Sequence, residues 1–164
     1  MTILPHITLP LLLMAALTSC ALPGSISPNT THADELVKKL GKPTETRAAP
    51  QGGEVWDYVY GPAGTETWRF AIDGGRVVRS KEQLLTHERL YKVVPGTTTQ
   101  AQVLDLLGKP GGVSDLALGP SWEWRVNLNP EKGYFVVNFD RQGIATGIAV
   151  LMDMRIDSGD KGDR

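Results

Sequence analysis

Cysteine is nearly missing from this chain: there is one, Cys20, in 164 residues. A single thiol allows no internal disulfide, and it excludes metal sites built on two or four cysteines. Charge of one sign is missing too, with 17 Lys and Arg against 18 Asp and Glu. That balance leaves no basic stripe of the kind a nucleic-acid binder needs. No GxSxG elbow, GxGxxG loop, HExxH or EF-hand spacing occurs, and the would-be phosphate loop at Gly41-Lys42 runs straight into Pro43. His6 lies in the N-terminal apolar run, while His32 and His87 are isolated and read as exposed residues at helix termini. Hydrolytic, nucleotide-binding and metal chemistry therefore find no sequence support, and no cofactor is expected. The 41% hydrophobic and 21% charged content is that of a folded domain and excludes wholesale disorder.

Long hydrophobic runs are also scarce. Residues 3–17 form an apolar stretch without Lys, Arg, Asp or Glu. It falls short of the roughly 20 residues that a spanning helix needs, and Pro5 and Pro10 would disturb such a helix further. At an N-terminus this reads as the apolar region of a signal peptide covering residues 1–19. It ends in Leu17-Thr18-Ser19-Cys20, which resembles the bacterial lipobox. The resemblance implies cleavage between Ser19 and Cys20, with acyl groups carried covalently on Cys20. Each buried CH₂ contributes about 0.8 kcal/mol, so two or three chains anchor a protein stably where one does not. Ala21 stands where an Asp commonly retains lipoproteins at the inner membrane. The expected address is therefore the outer membrane, facing the periplasm.

Residues 20–33 then read as the lipidated Cys followed by a Pro-, Ser- and Thr-rich flexible tether. Thirteen such residues have an r.m.s. reach of roughly 20 Å. Beyond them the sequence carries an internal duplication. Residues 30–43 return at 97–110 with a constant offset of 67 (97 − 30 and 110 − 43), both copies ending in Leu-Gly-Lys-Pro. Trp56-Asp57-Tyr58 answers to Trp122-Glu123-Trp124, and Ile72-Asp73 to Phe139-Asp140. Within each copy Leu36, Val37 and Leu40, or Val103, Leu104 and Leu107, make one apolar stripe of a short helix. Threonines ahead of the stripe supply capping oxygens, Gly41 and Gly108 suit the helix end, and Pro43 and Pro110 forbid its continuation.

Downstream the period becomes two. Trp56, Tyr58 and Tyr60, then Trp68, Phe70 and Ile72, then Trp122, Trp124, Val126 and Leu128 alternate with more polar residues, as half-buried antiparallel strands do. Asp73-Gly74-Gly75 reads as a hairpin turn, Ser80-Lys81-Glu82-Gln83 as a capping box, and residues 86–93 as a further helix. Asp73 and Asp140 are read as turn formers rather than an acid–base pair. The expected fold is α+β: two tandem helix-plus-antiparallel-meander repeats, residues 34–79 and 80–156, sharing a sheet with the helices on one face. Residues 157–164 are expected to be a disordered polar tail.

Val94-Pro95-Gly96-Thr97-Thr98, the helix over 101–107, Gly108-Lys109-Pro110, the Trp-centred strand and the strand bearing Phe139-Asp140 resemble the SmpA/OmlA (BamE-like) outer-membrane lipoprotein family. The resemblance covers residues 80–150 well and residues 30–79 as a degenerate copy. Tandem units of this kind are similar to the β-lactamase-inhibitor-protein fold. What the resemblance implies is a non-enzymatic, membrane-anchored protein acting in β-barrel protein assembly or envelope integrity, through contacts with an envelope or outer-membrane protein. An inhibitor-like or sensor module that binds protein on an open sheet face is the alternative. Tryptophan on a strand packs into the core by default. On an open face Trp56, Trp122 or Trp124 would anchor a partner.

Overall fold

A computed structural model of the chain describes residues 22–128 and 132–152. Helix α1, Ala33–Leu40, leads into strands β1 (Glu45–Ala48), β2 (Glu54–Tyr60), β3 (Glu66–Ile72) and β4 (Val78–Gln83). Helices α2, His87–Leu90, and α3, Gln100–Leu107, follow. Strands β5 (Gly112–Leu116), β6 (Gly119–Asn127), β7 (Lys132–Phe139) and β8 (Ala145–Met152) complete the described chain.

The strands form two separate antiparallel sheets, ordered β1-β2-β3-β4 and β5-β6-β7-β8. This corrects the expected α+β pair of tandem repeats sharing one sheet. The described residues are mostly antiparallel β, and the three α-helices are short, of 8, 4 and 8 residues. The reason is local closure: every strand pairs with its sequence neighbour across a short turn, which costs less loop entropy than pairing across the whole chain. The expected boundary at residue 80 also falls inside β4, whose Ser80 and Lys81 pair with Ala71 and Phe70 of β3. Ser80 to Gln83 is therefore strand and not a helix cap. The helix expected over 86–93 is confined to α2, with Thr86 accepting from the Arg89 N–H as its cap.

Each sheet has its own apolar core. Ile26, Ala33 and Leu36 pack on Trp56, Tyr58, Phe70, Ile72 and Val78. The second core joins Leu85, Leu90, Val93, Val103 and Leu107 to Trp124, Val126, Phe135, Val137 and Phe139. Contacts that recur near the 67-residue offset are local ones. The Tyr58 hydroxyl donates to the Gly41 carbonyl and the Trp124 indole N–H to the Gly108 carbonyl. Asp73 accepts the Val77 N–H and Asp140 the Ile144 N–H, each closing a turn. The Val77 N–H, reinforced by Arg79, holds the Asp73 carboxyl below its ordinary range.

Residues 22–33, expected within a flexible tether, lie against the first sheet. A 3-10 turn at Pro23–Ser25 leads to Ile26, which is wholly buried, and the Asn29 N–H donates to the Val78 carbonyl. The Val78 N–H in turn donates to Thr31, and the Ala33 N–H to Arg76. One apolar side chain and three backbone hydrogen bonds outweigh a turn-rich composition.

Candidate binding groove

Where the two sheets meet, the polar side chains expected to face water are buried. Asp57 and Arg69 are directly opposite on β2 and β3 and only 3% and 8% exposed. Arg69 grips Asp57 with two bonds, Nε to Oδ1 and Nη2 to Oδ2, each 2.8 Å. Burial by itself would lower the Arg69 pKa; the hydrogen bonds and charge of Asp57 overcome it and leave the pKa raised. The same guanidinium reaches the Asp105 carbonyl at 2.5 Å, at the C-terminal end of α3. From β1, Arg47 bonds Asp57 at 3.1 Å and Asp105 at 3.5 Å. Arg89 donates to the Leu106 carbonyl at 2.9 Å. Carbonyls that end a helix lack intrahelical partners and carry its negative pole, so guanidinium groups are the donors that suit them. The chain Arg47–Asp57–Arg69–Asp105 thus alternates in sign and ties the first sheet to α3.

Beside this junction lies a groove of about 590 Å³, lined by Glu45, Arg47, Ala101, Leu104, Asp105, Lys109, Pro110, Val113 and Trp122. Its wall is the outward side of α3. Val103 and Leu107 turn into the core, leaving Ala101, Leu104 and Asp105 exposed. The helix is fixed at its start by Thr99 and Gln102, each accepting the other's backbone N–H, and at its end by Gly108. Trp122, half-buried, forms the floor. Its ring centroid stands 4.8 Å from that of Phe139 and 6.2 Å from that of Trp124. Val113, its register partner on β5, is exposed beside it. Carboxylates and cations of β1, α3 and the Lys109 turn make the rim.

The three tryptophans singled out from sequence meet different fates. Trp56 and Trp124 sink into separate cores at 6% and 2% exposure, and Trp122 alone reaches the groove. The structure does not bring them together as one patch. Ser19 and Cys20 lie outside the described residues. His32 and His87 are exposed at the starts of α1 and α2. Sequence reasoning missed Arg47, Asp57, Arg69 and Asp105. The one available signal was a pair of opposite charges inside two apolar strands, which fits a solvated face equally well. Among the described residues no group of three or more His, Cys, Asp or Glu is placed to hold a metal ion, and no helix is long and apolar enough to cross a membrane. Comparison of the chain with family models, with curated proteins and with solved structures gives no match.

Proposed function

We propose that this chain is a non-enzymatic lipoprotein of the bacterial outer membrane, facing the periplasm and anchored by acyl groups on Cys20. In this reading it holds an envelope protein in the groove at Trp122, and it acts, like the BamE-like factors it resembles, in outer-membrane β-barrel assembly or envelope integrity. The observation that carries the reading is a half-buried indole on an apolar floor between Leu104 and Val113, ringed by charges of both signs. Binding energy concentrates where an aromatic anchor can be fully desolvated inside a polar rim. The partner is then a segment that inserts an apolar side chain against Trp122 and meets Arg47, Lys109, Glu45 and Asp105 at the edge. Packing of residues 22–33 on the first sheet supports a close approach to the bilayer. Only Ala21 separates Cys20 from the described fold, so the module sits at the headgroups instead of trailing on a tether.

The test is site-specific photocrosslinking in the intact envelope, with the crosslinking residue at Val113 in the groove or at Gly74 in the exposed β3–β4 turn. Adducts with outer-membrane proteins are expected from position 113 and not from 74. Trp122→Ala in the same chain is expected to reduce them about tenfold or more, the loss typical of an anchor residue. Adducts with soluble periplasmic enzymes alone, or adducts indifferent to Trp122→Ala, would contradict the proposal.

A further inference from the structure

Four strands end the two sheets, and three of them are blunted against further pairing. β1 has four residues, including Glu45 and Arg47; β4 carries Arg79, Lys81 and Glu82; β5 has five residues, including Asp115. Short length and charge are the usual means by which an edge avoids another strand. β8 has neither. It runs for eight residues, Ala-Thr-Gly-Ile-Ala-Val-Leu-Met, without one charged side chain. Its first residue is already engaged: the Gly96 N–H donates to the Ala145 carbonyl at 2.7 Å, and the Ala145 N–H to Thr98 at 2.8 Å. From Gly147 to Met152 no described strand lies on its outer side. Ile148 and Val150 pack against the second core yet stay half-exposed, and Leu151 and Met152 are 53% and 48% exposed.

We propose that β8 is the pairing edge for a second copy of this chain, the two strands running antiparallel about a two-fold axis at Ala149. The inference is independent of what occupies the groove. The strand is matched to itself in polarity and in size. Pairing about Ala149 sets Ile148 opposite Val150 of the second copy and Gly147 opposite its Leu151, small against large. Residues directly opposite share a face, so the Ile148 and Val150 of both copies form one apolar row across the junction. No charge meets a like charge, whereas a charged strand from another protein would find no counter-charge on β8. The β5–β8 sheets of the two copies become one of eight strands, and the interface is isologous and closed, which stops assembly at the dimer.

Disulfide trapping tests this in the full-length chain carrying Cys20→Ser, so that the only thiol is the one introduced. Ala149→Cys faces itself across the axis and is expected to give a band at twice the monomer mass on non-reducing electrophoresis. Ser80→Cys, exposed on the β4 edge, is expected to remain monomeric. Sedimentation of the Cys20→Ser chain is expected to show a reversible dimer. Ala149→Lys, which opposes two ammonium groups, should weaken it about tenfold or more while leaving the unfolding temperature nearly unchanged. A monomeric Ala149→Cys chain overturns the proposal, as does equal linking of Ser80→Cys. A dimer unmoved by Ala149→Lys overturns it too.

Discussion

Asp57 and Arg69 form a buried, doubly bonded ion pair across two neighbouring strands of the first sheet, and such a pair responds unequally to its own loss. Taking both charges out of water is costly, so the pair itself is worth little over an apolar substitute. Removing one partner strands the other charge, which costs about 3–5 kcal/mol. Arg47 reaches the same carboxylate but keeps 39% of its side chain in solvent, where an ion pair contributes about 0–1 kcal/mol. Urea unfolding is therefore expected to show a loss of several kcal/mol for Arg69→Ala and at most about 1 kcal/mol for Arg47→Ala. Equal effects of the two substitutions would mean that the junction is not held by the buried pair. Both residues were visible in the sequence as charges among alternating apolar residues. Periodicity of two says that they share a face; it does not say that α3 covers that face.

Helices α1 and α3 both end on a glycine in a backbone region that is close to forbidden for other residues: Gly41 at φ 83°, ψ −166° and Gly108 at φ 74°, ψ −170°. This is not the left-handed helical geometry that a helix-closing glycine suggests, but it is equally restrictive, costing about 1–3 kcal/mol for a side-chain-bearing residue. Space separates the two positions. A Cβ on Gly41 meets nothing within 4 Å, whereas on Gly108 it lies 3.0 Å from Thr67 Cγ2, across the junction between the sheets. Gly108→Ala is accordingly expected to lower the urea midpoint further than Gly41→Ala, and a reversed order would contradict this packing. The elements themselves were largely legible. Helix-ending glycines marked both eight-residue helices and the switch to period two marked most strands, but the expected threonine cap is found only on α3, at Thr99; α1 starts at His32 with no side-chain cap. Ser80 to Gln83 misled because its polar run satisfies a capping box on paper; pairing of Ser80 with Ala71 and Lys81 with Phe70 decided for strand.

At the scale of the molecule, sequence pattern set out two series of strands but not how they associate. It favoured one shared sheet, and the described residues form two, joined by a buried charge network and a groove instead of by backbone pairing. The N-terminal stretch was misjudged on composition, since a single buried Ile26 and the bonds of Asn29, Thr31 and Ala33 bind it to the first sheet. That change of state alters the functional picture. In the proposed role the described fold begins two residues after Cys20, so a lipid on that thiol would keep the groove close to the bilayer surface. Intact mass spectrometry of the exported chain, beside Cys20→Ala with membrane fractionation, tests this most directly. The expected result is a wild-type polypeptide that begins at Cys20, carries acyl groups and pellets with the outer membrane, while the variant does none of these. A chain that starts at another residue, or bears no fatty acid, would contradict the membrane-bound role.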